Sequence, residues 1–194
     1  MCHSANVFKA AKIRLLKLFP YFCRKLFEKM DNNIVQEVFD LLIKKGMTFA
    51  SAESCTGGNI AHQITLIAGS SNIFKGTAVT YATAMKTKVL GVPEMTIEKH
   101  SVVSQQVVEA MATGVRDLME TDFSVATTGV AGPGGGSEEN PVGTVWIGVA
   151  SPIRVISRRY RFNGNRVEVI NQATMKAYEM LRDEILYHTE NTES

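Results

Sequence analysis

Apolar and polar positions alternate along this chain with two different periods, and the switches between them outline its elements. From Asp31 onward Val35, Val38, Phe39, Leu41 and Leu42 recur at helical spacing, and Lys44, Lys45 and Gly46 supply a helix-ending signature. "MTFASAES" then reads as a short strand that gives way to a loop at Glu53. "GGNIAHQITLI" is helical, with Ile60, Ile64 and Ile67 on one face, and "FKGTAVTYA" is a strand rich in β-branched and aromatic residues. "AMKTKVLGV" reads as one or two helical turns closed by Gly91 and Pro93. A long helix follows, N-capped by Ser104 and carried by Val108, Met111, Val115 and Leu118. "FSVATTGVAGPGGG" is a buried strand running into a glycine-rich loop. "GTVWIGVAS" and "RVISRRYRF" are two further strands forming a hairpin around Ser151-Pro152, "RVEVINQATMKAYEMLRDEIL" is a closing helix, and "HTENTES" is expected to fray.

Strands alternating with helices predict an α/β fold, a three-layer α/β/α sandwich. The late hairpin makes its sheet mixed, mostly parallel. No repeat, linker or low-complexity segment divides residues 30–194, which read as one domain. Residues 1–29 differ: they carry Lys9, Lys12, Arg14, Lys17, Arg24, Lys25 and Lys29 against the single acid Glu28. This basic amphipathic leader reads either as a surface-binding helix or as an extension upstream of a start at Met30; the second reading is preferred. It has no run of about 20 apolar residues and no uninterrupted apolar signal core.

The net charge of +2 gives the domain no reason to bind nucleic acid. Cys2, Cys23 and Cys55 form no CxxC pair, and His3, His62, His100 and His188 lack metal-ligand spacing. A reduced, cytoplasmic protein with no metal, no cofactor and no membrane partner is expected.

Open α/β sheets bind ligands beyond the carboxyl ends of their strands, and two suspicious loops fall there. In "AESCTGG" Ser54 is either a helix cap or a nucleophile at a strand-to-helix junction with free N–H groups nearby. Cys55 reads as a small packed residue rather than a nucleophile. In "TTGVAGPGGG" five glycines within eight positions suggest backbone amides around an anion, although a flexible turn has the same composition. A serine nucleophile needs a base, and no Ser-His-Asp set is apparent. A lysine kept partly neutral by burial serves instead, and "TYATAMK" offers Lys86, with Lys88 as its rival.

Taken together, "AESCTGG", "TYATAMKTKVLGV" and "TTGVAGPGGGSEENPVGTVW" resemble, in order and spacing, the CinA C-terminal domain family, over roughly residues 31–187. The resemblance implies an oligomeric α/β/α domain that hydrolyses the carboxamide of nicotinamide mononucleotide to nicotinate mononucleotide and ammonia. It places the nucleophile on Ser54, and assisting groups on Tyr81 and Lys86. Cys55, Thr56, Gly57, Gly58, Thr128, Gly132, Gly134, Gly135 and Arg166 would hold substrate, with backbone amides of residues 55–58 facing the oxyanion. Where the family often reads Tyr-Ser-Asn the chain has Tyr81, Ala82 and Thr83. The family's Gly-Asp-Arg is Gly164-Asn165-Arg166 here, and Ile170 stands where a second arginine is expected. Some family members carry degenerate sites, so a non-catalytic nucleotide-binding or assembly module is the alternative.

Overall fold

The computed structural model describes residues 34–192. The chain divides into units 1–34 and 35–194, and apart from Ile34 the described residues belong to the second. The expected basic leader and the last two residues of the tail lie outside the described residues.

Five strands form one sheet: β1 (Phe49–Glu53), β2 (Phe74–Val79), β3 (Phe123–Gly129), β4 (Thr144–Ala150) and β5 (Val155–Arg161). Their order is β2-β1-β3-β4-β5, with β1 parallel to both β2 and β3, β4 antiparallel to β3, and β5 antiparallel to β4. Four strands therefore point one way and β4 the other, which is the mixed sheet of the expected α/β fold. The helices are α1 (residues 34–45), α2 (Asn59–Thr65), α3 (Thr83–Leu90), α4 (Glu94–His100), α5 (Gln105–Met119) and α6 (Arg166–Thr192).

Strand periodicity decides which residues meet which layer. Ala50, Ala52, Ala126 and Ala150 face α5, whose Val107, Val108, Met111, Ala112 and Val115 complete that half of the core. The alternate residues face the other layer. Phe49 meets Tyr178 of α6 edge-on at 6.4 Å, and Phe123 meets His188 at 5.5 Å. Tyr178 also donates its hydroxyl to the carbonyl of Ile60 at 2.6 Å, which ties α6 to α2.

Two helices differ from the reading of the sequence. Helix α4 was not foreseen, because none of its residues is buried and it has no apolar stripe to betray it. It begins after Pro93, with Glu94 in its first turn and Lys99 and His100 in its last, the charge order that suits a helix dipole. Helix α6 continues to Thr192 instead of fraying from His188. His188 is itself buried against Phe123, and the hydroxyls of Thr189 and Thr192 donate to carbonyls one turn back.

Helix α3 is seated with little freedom. Its carboxyl end rests on α5 so closely that a Cβ on Gly114 would lie 2.0 Å from the Leu90 carbonyl oxygen. Only glycine permits that crossing, and it sets the height at which α3 presents its side chains to the sheet.

Candidate active site

The chain leaves β1 for β2 on one side and then crosses to β3 on the other. The strand order thus reverses between β1 and β3, and the loops after these two strands part to leave a crevice. A cavity of about 290 Å³ opens there, walled by Ser54 and Cys55 after β1, Tyr81, Thr83 and Lys86 around α3, Val102 and Val103 before α5, residues 128–132, 134 and 135 around the glycine-rich loop, and Arg166.

Lys86 is the decisive side chain. It lies on the buried side of α3 and is 1% exposed. Its Nζ stands 3.0 Å from Ser54 Oγ and donates to the Thr80 carbonyl at 2.6 Å. Burial lowers the lysine pKa from its ordinary value, because the charged ammonium loses water and no carboxylate compensates it. An amine whose charged form is disfavoured by burial then faces a half-buried serine hydroxyl at hydrogen-bond distance. Lys88, the rival base, does not line this cavity.

Ser54 caps no helix. The N-cap of α2 is Gly58, in a left-handed conformation and with no side-chain cap of its own. The capping group comes from Glu53, a residue that sequence reasoning passed over as the end of a strand. Glu53 is 0% exposed, and its carboxylate accepts from the N–H groups of Gly58, Ile60 and Ala61 at 2.9, 3.1 and 2.9 Å. Its placement one residue before Ser54 and four before the pair Gly57-Gly58 was the signal available.

That carboxylate corrects the expected oxyanion donors. Gly58 N–H is taken by Glu53, and Gly57 N–H donates to the Ser54 carbonyl at 3.3 Å. Neither the Cys55 nor the Thr56 N–H donates to a main-chain carbonyl among the described residues. Gly57 and Gly58 do not line the cavity, nor does Thr56, whose hydroxyl points inward to Glu53 Oε2 and Thr127 Oγ1 at 2.8 Å each. Cys55 does line it, but burial pushes its thiol up to about 12, which leaves a small packed residue and not a nucleophile.

Across the cavity, Gly132, Gly134 and Gly135 present backbone to the space, as does Thr128, whose hydroxyl donates to the Val102 carbonyl at 2.8 Å. Arg166, at the start of α6, donates to the Gly132 carbonyl and to the Tyr81 hydroxyl, both at 2.7 Å. Tyr81 is thus held at the mouth of the cavity, 62% exposed, and its hydroxyl is bonded to neither Lys86 nor Ser54. Among the described residues no group of histidines, cysteines and acids is placed to hold a metal ion, and no helix is long and apolar enough to cross a membrane.

The model of the CinA C-terminal domain family matches residues 31–185. A CinA-like protein of Flavobacterium psychrophilum is 45% identical over 184 residues, 93% of this chain and 44% of that protein. One from Fervidobacterium nodosum is 41% identical over 87% of this chain and 41% of its own length. The chain thus spans less than half the length of these curated relatives. Among solved structures, a CinA superfamily protein from Klebsiella pneumoniae superposes with a TM-score of 0.78 at 33% identity, covering 81% of this chain and 98% of that one. The competence/damage inducible protein CihA of Agrobacterium tumefaciens does so with a TM-score of 0.76 at 36% identity, over 78% of this chain and 93% of its own. With its sheet order, its crevice and these likenesses in agreement, the chain belongs to the CinA C-terminal domain family.

Proposed function

We propose that this chain is an amidohydrolase that converts nicotinamide mononucleotide to nicotinate mononucleotide and ammonia, with Ser54 as nucleophile and Lys86 as base. The observation that carries the reading is the 3.0 Å approach of a buried, unpaired lysine amine to Ser54 Oγ at the strand-order reversal.

An amide resists attack, so the hydroxyl must be activated and the carbonyl oxygen stabilised. The neutral Lys86 amine takes the Ser54 proton directly while its N–H stays on the Thr80 carbonyl. Ser54 Oγ attacks the carboxamide carbon, and the developing oxyanion meets the N–H of Cys55, which lines the cavity. Lys86 returns the proton to the amide nitrogen, ammonia leaves, and a nicotinoyl ester remains on Ser54. Water then gives its proton to Lys86 and its oxygen to the acyl carbon, and the proton passes back to Ser54.

Arg166 and the backbone of Gly132, Gly134 and Gly135 hold the ribose phosphate in this reading, with Thr128 on the same wall. Tyr81, clamped by Arg166, closes the mouth over the pyridine ring. Binding energy from the remote phosphate aligns the amide for attack.

The test is ammonia release from nicotinamide mononucleotide, nicotinamide riboside and nicotinamide. Release from the mononucleotide, lost in Ser54→Ala, supports the reading. Equal release from all three would remove the phosphate from it. Tight binding of the mononucleotide without turnover would favour a non-catalytic nucleotide-binding module.

A further inference from the structure

The carboxylate of Glu53 does more than a helix cap requires. Besides the three N–H groups at the start of α2, it accepts from the hydroxyls of Thr56 at 2.8 Å and of Thr77 at 3.3 Å, and Thr77 in turn accepts from the Ser51 hydroxyl at 2.8 Å. These five donors come from β2, α2 and the loop that carries Ser54, and Ser51 of β1 joins them through Thr77. A cap for α2 alone needs only a serine or aspartate at position 58, the conventional N-cap. Here that position is glycine, and the cap is supplied by the residue bonded to the proposed nucleophile.

The connections from Glu53 run to both reacting groups. On one side, Thr56 Oγ1 bonds both Glu53 Oε2 and Thr127 Oγ1, and the carbonyl of that same Thr127 accepts the N–H of Ser54 at 3.1 Å. Ser54 is therefore held inside a ring of hydrogen bonds that begins and ends at Glu53. On the other side, the Glu53 main-chain carbonyl accepts Thr80 N–H at 2.9 Å, and the Thr80 carbonyl accepts Lys86 Nζ at 2.6 Å. The same carboxylate also engages the Gly58 N–H, which removes that group from the donors open to a ligand.

We propose that Glu53 is a positioning residue for catalysis: through this network it sets the register of Ser54, and of Cys55 beside it at the cavity, against Lys86. It does not touch the reacting atoms. Its side chain makes no hydrogen bond to Lys86, so its effect is one of placement and not of proton supply. The inference rests on Ser54 being the nucleophile but not on the identity of the amide.

Three variants and two readouts test it. Glu53→Gln keeps the shape but presents one amide nitrogen, a donor, to neighbours that are themselves donors. Thr56→Val breaks the ring at one point with little change of volume, and Thr56→Ser restores its hydroxyl. Each is measured for kcat and KM on nicotinamide mononucleotide and for the rate at which a fluorophosphonate labels Ser54, in samples held well below their unfolding midpoints.

In folded Glu53→Gln, kcat and the labelling rate fall about 100-fold while KM stays within about twofold, the pattern of a misplaced reacting group. In Thr56→Val both rates fall about tenfold, and Thr56→Ser returns most of the loss. If the variants melt earlier but react at the wild-type rate, Glu53 is only a helix cap and the proposal is overturned. Should Glu53→Gln not fold, the Thr56→Val and Thr56→Ser pair decides alone. Wild-type protein that labels at Ser54 but releases no ammonia would sink the amidase reading and leave this one standing; wild-type protein that does neither would overturn both.

Discussion

Two glycine-bearing loops leave the carboxyl ends of neighbouring strands, and they are built in opposite ways. After β1, the segment from Glu53 to Gly58 turns inward: its carboxylate, its threonine hydroxyl and two of its glycine N–H groups are engaged with one another or with β1, β2 and β3. After β3, residues 133–139 are exposed, and the loop is anchored chiefly at its roots. There Val130 N–H donates to the Thr144 carbonyl and Gly143 N–H to the Val130 carbonyl, both at 2.8 Å. Glycine in a strand-end loop says that something approaches the backbone closely. Whether that is the protein's own carboxylate or a ligand depends on whether an internal side chain already fills the place. In the first loop Glu53 does. In the second, Val142 packs against Gly132 and Gly136 but no side chain claims the backbone of Gly134 and Gly135, which faces the cavity.

The sharpest test of this contrast removes the amine that faces the closed loop. Under the proposed function, Lys86→Met is expected to lower turnover by at least about 10⁴-fold, because Ser54 would lose its base. The same variant keeps or gains stability, since it removes a buried amine. Burial makes the folded-state amine release its proton at a lower pH than the unfolded chain does, so the cost of burying it is full at low pH. That cost shrinks as pH rises toward 10.5, the ordinary lysine value. Urea titrations across pH should therefore show the methionine variant's advantage narrowing toward alkaline pH. In the wild type kcat/KM should rise with pH through the lowered lysine value, and a rate already flat in acid would break the assignment.

Arg166→Ala attacks the open loop. It removes the bonds to Gly132 and Tyr81 and, in the proposed function, a phosphate donor. KM for the mononucleotide should rise about 10- to 100-fold with a smaller change in kcat. A fall confined to kcat would move Arg166 from binding to chemistry.

The smallest effects separate the glycines themselves. A Cβ on Gly129 would lie 2.5 Å from the Thr144 carbonyl oxygen and 2.8 Å from Val145 Cα, both of them backbone, so Gly129→Ala should cost about 3 kcal/mol in urea unfolding. At Gly57 the space is open and only its φ of +63° resists, so Gly57→Ala should cost about 1 kcal/mol. Equal costs at the two positions would mean that close packing does not distinguish them.

The fold was largely legible because its signals are local. Alternating apolar residues in "FSVATTG", the stripe through Val108, Met111 and Val115, and the Ser104 cap that accepts the Val107 N–H all act within one turn or one strand. Helix α4 escaped because an exposed helix carries no apolar period, and the end of α6 because the packing of His188 on Phe123 joins residues 65 positions apart. The site was legible in part. Ser54, Lys86, Cys55, Thr128, Gly132, Gly134, Gly135, Arg166 and Tyr81 do meet around one cavity, whereas Thr56, Gly57 and Gly58 do not. The bond of Tyr81 to Arg166, and its lack of one to Lys86, could not be read from residues 85 positions apart in sequence.

By itself the order of residues determined the α/β layering, the two strand-end loops and the presence of a serine and a lysine near them, because periodicity and caps are properties of neighbouring residues. Tertiary structure alone decided that Lys86 is buried, that its amine lies against Ser54 and that Glu53 claims the helix terminus the glycines had left open. Burial and hydrogen-bond partners belong to no single segment: α3 reaches its depth only because Gly114 of α5 lets it, and the lysine pKa is lowered by the water the amine has lost.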